Sequence, residues 1–296
     1  MPIADHLLSH PTLYTLVAGL IGATVGSFLN VVIHRLPLMM EREWRHQCDA
    51  LAAETSGTPA AAPAAQDTFN LAVPGSRCPH CGHNIRAWEN IPILSYLLLR
   101  GKCSQCAQAI SIRYPIVEAI TGLLSMAVAW HFGFGWESAA ALVLTWALVP
   151  LTVIDLDRQL LPDAITLPLL WLGLALSLFG IFTDPPAAII GAMAGYLSLW
   201  SVYWGFKLLT GKEGMGFGDF KLLALFGAWL GWQMLPVVIF LSAIVGSIVG
   251  IALIALKRHD QGTPIPFGPY LAGAGWIALL WGEEISQAYL RFSGLN

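Results

Sequence analysis

Charge is what this chain has least of. Of its 296 residues only 11% are Asp, Glu, Lys or Arg and 56% are hydrophobic, a balance at which a soluble domain of this size would aggregate. Basic residues are absent before Arg35. The first apolar segment therefore has no positive n-region, is long for an h-region, and does not read as a cleavable signal peptide. A G-x-G-x-x-G following a strand is also missing, so a Rossmann-type cofactor site is not supported. No long internal repeat is visible, and no nucleic-acid partner is expected.

What the chain does have is a series of windows without Asp, Glu, Lys or Arg: residues 11–33, 119–136, 138–154, 164–183, 185–206, 222–256 and 261–282. Each is long enough to cross a lipid bilayer. The sixth, at about 1.5 Å per residue, would far exceed a hydrocarbon core of about 30 Å. It is expected to turn at Gly231-Trp232-Gln233-Met234-Leu235-Pro236, which makes about eight spans. Eight of the 15 basic residues fall from Arg35 to Arg113, and all except Arg291 lie on alternate loops. Those loops are then cytoplasmic and both termini face out. Trp130, Trp136 and Trp232 near span ends are expected interfacial anchors.

The reading is an all-α polytopic membrane protein with a small zinc-binding cytoplasmic subdomain. It comprises a first transmembrane helix (1–33), a cytoplasmic region (34–113) and a transmembrane bundle (114–296). Residues 52–66, AAETSGTPAAAPAAQ, are poor in groups that bury apolar surface and read as a flexible insertion.

Four of the five cysteines form CPHC (Cys78, Cys81) and CSQC (Cys103, Cys106), with 21 residues between the pairs. Two such knuckles can direct four thiolates at one tetrahedral zinc ion. Disulfides are disfavoured by the cytoplasmic placement, and a redox CxxC by the lack of a thioredoxin-like βαβ context. His80 and His83 are left outside the ligand set, and Cys48 is unpaired. A closed four-cysteine site leaves no position for a substrate, so the metal shapes the loop and takes no part in bond breaking.

Two aspartates carry the chemistry. Asp155 ends the third span in TVIDLDRQLLPD, and Asp219 opens the sixth in GMGFGDFK, so both sit at the cytoplasmic end of a helix. Carboxylates at membrane depth are costly and usually functional. A close pair that shares a proton can activate water while donating to the carbonyl it attacks, which suffices to hydrolyse a peptide bond. Gly216 and Gly218 are expected to take positive φ and to keep side chains away from Asp219. The competing reading makes Asp219 an N-cap. Asp163, after Pro162, reads as a helix-start residue complementing the dipole. Asp157 reads as exposed or supporting, and Asp184 as a loop residue.

Taken together, GSFLNVVIHRLP (Gly26 to Pro37), CPHC, RGKCSQC, SIRYPIVE, DLDRQLLPD, GMGFGDFK and GTPIPFGPY (Gly262 to Tyr270) resemble the bifunctional type IV prepilin peptidases, GxGD-type membrane aspartic proteases. The resemblance covers nearly the whole chain. It implies leader cleavage of type IV prepilins and type II secretion pseudopilins on the cytoplasmic side of the bacterial inner membrane. N-methylation of the new N-terminus with S-adenosylmethionine then follows. It also implies Asp155 and Asp219 as the catalytic pair and Cys78, Cys81, Cys103 and Cys106 as zinc ligands.

For methyl transfer the resemblance points to the cysteine loop: Arg100, Gly101, Lys102, Arg113, Glu118 and Asn30. Gly101 would permit close backbone approach, a cationic side chain would meet the donor's carboxylate, and Glu118 lies one turn into an apolar span. Arg100, Lys102 and Arg113 also serve as topology residues in a competing reading. A leader peptidase without methyltransferase activity, and a transporter whose aspartates relay ions, are the alternative functions. The first leaves the cysteine loop unexplained, and the second requires carboxylates near the bilayer midplane.

Overall fold

The computed structural model describes residues 10–56, 69–256 and 265–294. Among the described residues there are eight helices of at least fourteen residues and no strand. The β-pairing there consists of two isolated bridges, Arg77 with Asn84 and Lys102 with Ala109. The chain divides into two compact units, residues 1–127 and 128–296.

In the first unit, helix α1 (Pro11–Ser56) is 46 residues long, about 69 Å at ~1.5 Å per residue. That is more than twice a hydrocarbon core of about 30 Å. The helix runs on past the apolar window that ends at Ile33 and through Ser56, so residues 52–56 of the expected flexible insertion are helical. The physical reason is composition: residues 38–54 are dominated by Leu, Met, Glu, Arg, Gln and Ala, all strong helix formers. Side-chain pairing adds support, with Gln47 donating to Glu43 one turn back at 3.0 Å. The rest of the expected insertion, 57–66, lies outside the described residues. Pro37 sits inside α1 and removes one backbone donor there.

Helix α3 (Arg113–Phe132) packs on α1 up to Ala127. Gly19, Gly22 and Gly26 form the stripe on α1 that meets it. A Cβ at Gly26 would come 2.8 Å from the Glu118 Cα, and one at Gly22 would overlap Ser125. Small residues allow close helix approach in lipid, where packing rather than water exclusion drives association. Between α1 and α3 lie the two cysteine turns, a 3-10 turn (Ala87–Asn90) and the short helix α2 (Leu94–Leu98).

The second unit holds α4 (Trp136–Arg158), α5 (Asp163–Ser177), α6 (Pro185–Thr210), α7 (Phe217–Leu230), α8 (Leu235–Ala255) and α9 (Gly268–Ser293). Helix α7 is its centre. Ten of its residues, Phe220 and Leu222 to Trp229 with Asp219, are buried, as expected for a helix apolar on every side. Trp229 donates its indole N–H to the Leu169 carbonyl of α5 at 2.8 Å, so its polar end is satisfied in an apolar core. On the other flank Gly195 of α6 leaves room for α7 itself: a Cβ there would lie 2.6 Å from the Leu223 carbonyl oxygen.

Among the described residues, five helices are long and apolar enough to cross a membrane: α1, α3, α4, α6 and α8 with its preceding turn. Helix α5 is apolar but shorter. The long sixth window does break, at Gly231 with φ 80°, followed by the 3-10 turn Trp232–Met234. Trp130 and Trp136 are strongly exposed. Asp184 caps α6, accepting from the Ala187 N–H at 3.1 Å.

Candidate active site and metal centre

Asp155 lies in the last turn of α4 and Asp219 in the first turn of α7. Both are buried, with 5% and 6% of their surface exposed, and each is within electrostatic reach of the other. Asp219 is not an N-cap. Gly216 occupies the cap position and no side-chain cap bond is made there. The residue that sets the Asp155 environment is Gly268, the first residue of α9. Its backbone N–H faces the carboxylate, but Asp155 Oδ2 meets no hydrogen-bond geometry and is a buried polar oxygen without a partner. A Cβ at Gly268 would stand 2.5 Å from that oxygen. Leu161 fills the neighbouring space, 2.8 Å from a Cβ at Gly218 and 3.2 Å from one at Gly268.

The expectation of positive φ at the glycines before Asp219 is not met. Gly216 is extended, with φ −82°, and Gly218 is absent from the left-handed glycines among the described residues. The helix already begins at Phe217, so Gly218 carries helical angles. Its missing side chain admits Leu161 instead. The late motif GTPIPFGPY, whose prolines predict an ordered connection near the active site, has Gly268 against Asp155, while residues 262–264 lie outside the described residues. Gly268 itself, between Phe267 and Pro269, carries no sequence signal for contact with Asp155.

Asp163 stands at the start of α5 and also pairs with Lys221 of α7 at 2.7 Å. This ion pair ties the α5 start to the helix that carries Asp219. Asp157 lies on the exposed side of the last α4 turn.

In the first unit the four cysteine sulfurs lie within 4.8 Å of one another. Cys78 and Cys106 are 3.8 Å apart and Cys81 and Cys103 4.0 Å. Four thiolates around one zinc at ~2.3 Å would be about 3.8 Å apart in a tetrahedron, so the donor set fits that metal. The two turns repeat the same wiring. Cys78 N–H donates to His83 O and Gly82 N–H to Cys78 O; Cys103 N–H donates to Gln108 O and Ala107 N–H to Cys103 O. The fifth position is left-handed in both, Gly82 at φ 71° and Ala107 at φ 55°. Backbone N–H groups of Cys81 and His80 lower the Cys78 thiol to about 6, and those of Cys106 and Gln105 lower Cys103. Cys81 goes the other way: although the His83 N–H lowers it, desolvation and the neighbouring thiols push it up to about 11, so without a metal the thiolate charge rests on Cys78 and Cys103.

Glu89, unforeseen from sequence, holds the turns together. It accepts from the Arg86 N–H at 2.7 Å and from the Ser104 hydroxyl, and meets His83 Nε2 at 3.1 Å. These bonds, the Arg86 N–H first, hold its carboxyl down at about 2.

The residues expected to serve methyl transfer separate. Glu118 is buried, accepts from the Ile93 N–H at 2.7 Å, and lines a cavity of about 660 Å³ within this unit. Asn30 lines it too, donating to the Tyr114 carbonyl at 3.2 Å. Gly101 has φ 68° and lies against the Tyr96 ring of the cavity wall. Lys102 is held in the bridge to Ala109 and Arg113 opens α3; neither lines the cavity.

Residues 20–132 match the model of the bacterial peptidase A24 N-terminal domain, and residues 142–251 that of the type IV leader peptidase family. The chain is similar over its whole length to the prepilin leader peptidase/N-methyltransferases of Pseudomonas aeruginosa, at 58% identity, and Stutzerimonas stutzeri, at 57%, covering all of both. It is 60% identical to that of Aeromonas salmonicida over 95% of each chain. No solved structure matches it.

Proposed function

Since the chain belongs to the type IV leader peptidase family, we propose that Asp155 and Asp219 are the pair with which this membrane enzyme cleaves prepilin leader peptides. The observation that carries this is the buried, unpartnered Oδ2 of Asp155 beside a second buried carboxylate. Buried acceptors are nearly always satisfied, and one left open in a membrane helix costs stability unless something docks on it.

A water held between the carboxyls attacks the scissile carbonyl carbon. One carboxylate takes the proton from that water as the other carboxyl donates to the carbonyl oxygen. The tetrahedral adduct then collapses, the C–N bond breaks, and the leaving nitrogen takes a proton to become a new N-terminal amine. The glycine at position 268 lets the start of α9 approach the Asp155 oxygen with no side chain between them.

The chain also methylates that amine. S-adenosylmethionine supplies an electrophilic methyl on a sulfonium; the protein's part is to bind the donor and to hold the amine deprotonated and in line with it. Residues 34–113, with Glu118, form the region assigned to this step, and residues 114–296 form the peptidase bundle. Cys78, Cys81, Cys103 and Cys106 hold one structural zinc, which fixes the loop fold. Pseudopilins of type II secretion are the second substrate class. The enzyme sits in the bacterial inner membrane with both sites facing the cytoplasm, the side on which nearly all its basic residues fall.

The test is purified protein in detergent, supplied with a prepilin peptide and methyl-labelled donor. Cleavage followed by label on the new N-terminus is expected. A protein that binds zinc and cuts nothing would remove the assignment.

A further inference from the structure

We infer that the cavity of about 660 Å³ in the N-terminal unit is the binding site for the adenosyl methyl donor. This rests on the methyltransferase reading above and gives it a location. The volume lies within the ~300–1,000 Å³ of small-molecule sites. What sets the cavity apart is the number of buried polar groups that α1 and α3 turn into it. Ser27, Asn30, Arg35 and Glu118 each have 9% or less of their surface exposed, and all four line it. Polar side chains on otherwise apolar helices mark a site.

Each of these groups is oriented by a bond to the wall. Ser27 donates to Asn90 Oδ1 at 3.4 Å, Asn30 to Tyr114 O at 3.2 Å, and Arg35 to Asn70 O at 3.0 Å, while Glu118 accepts from Ile93 N–H at 2.7 Å. The charges match a ligand that is itself mixed. The Arg35 guanidinium suits an α-carboxylate, and the Glu118 carboxylate suits the ammonium and sulfonium cations of the same molecule. Tyr96 and Tyr114 add aromatic wall for an adenine ring. Gly101 supports this, because its missing side chain is what lets the Tyr96 ring sit where it does: a Cβ there would come 2.9 Å from the Tyr96 hydroxyl. A site of this kind needs no strand and no glycine-rich phosphate loop.

The experiment is photolabelling of the full-length, zinc-loaded protein in detergent with 8-azido-S-adenosylmethionine. Adducts are mapped by mass spectrometry, and S-adenosylhomocysteine binding is measured by equilibrium dialysis. Competable adducts are expected within residues 27–35, 95–99 and 114–118. Arg35→Met and Glu118→Gln should each weaken S-adenosylhomocysteine binding by about tenfold or more, the scale of one charged hydrogen bond, with zinc content unchanged. If either variant loses its zinc, the wild-type adducts decide. Bound donor with adducts only outside those segments, or with none, would overturn the cavity assignment and leave the methyltransferase reading standing. A preparation that cuts prepilin yet neither binds the donor nor transfers methyl would overturn both.

Discussion

Gly268 stands so close to Asp155 that a single methyl group on its Cα would come 2.5 Å from the carboxylate oxygen Oδ2. That oxygen is buried and has no hydrogen-bond partner, and the missing side chain of Gly268 is what lets the start of α9 close on it.

Gly268→Ala should therefore act on cleavage before it acts on stability. The added Cβ must displace the carboxylate, and misplacing a reacting group by about 1 Å costs on the order of 100-fold in rate. Leader cleavage by the purified variant should fall to that degree, with its unfolding temperature close to wild type. Wild-type rates would show that Asp155 works in another position.

Asp163 gives the contrasting case. Its ion pair with Lys221 is half exposed on the aspartate side, and exposed pairs contribute about 0–1 kcal/mol. Asp163→Asn should keep cleavage within a few fold of wild type and lower the unfolding temperature only slightly. Loss as deep as that from Asp155→Asn would make Asp163 a member of the site.

Much of this was legible beforehand, and the reasons differ by residue. The cysteine turns could be read because metal geometry constrains local spacing, so CPHC and CSQC specify their own folds. The aspartates stood out because charge is scarce and both bound apolar windows. What could not be read is what depends on tertiary approach. Gly268 touches Asp155 across 113 positions of chain, and Gly216 and Gly218 turned out extended and helical because α7 starts between them. Helix α1 runs on past Ile33, where the apolar window ends, because helix propensity does not end there. Glu89 carries no spacing signal; its role appears only once both knuckles are folded around it.

That role has a pH signature. The Glu89 carboxyl is held at about 2, from an ordinary value of 4.5. A depressed pKa contributes stability that is full above the unfolded value and is lost as pH falls through the folded one. The Arg86 amide should keep a constant hydrogen-exchange protection factor from pH 8 to pH 5, with any loss confined below about 4.5. Glu89→Gln should lower protection across that whole range. A decline beginning near neutral pH in the wild type would contradict the assignment.

Metal content offers a separate check. The protein should carry one zinc per chain, and Cys78→Ser/Cys103→Ser should carry none, since structural zinc contributes about 10–16 kcal/mol of apparent binding energy only with its full ligand set. The variant should fail chiefly in methyl transfer. Retained zinc would mean that the four sulfurs are not its ligands.

The most direct measurement separates the two reactions. Asp155→Asn and Asp219→Asn are each given an intact prepilin peptide and, separately, a peptide already cut at the leader junction, with labelled S-adenosylmethionine present throughout. The account predicts that neither variant cleaves and that both still methylate the pre-cut amine. Cleavage that survives in both would contradict the aspartate pair as the site of hydrolysis.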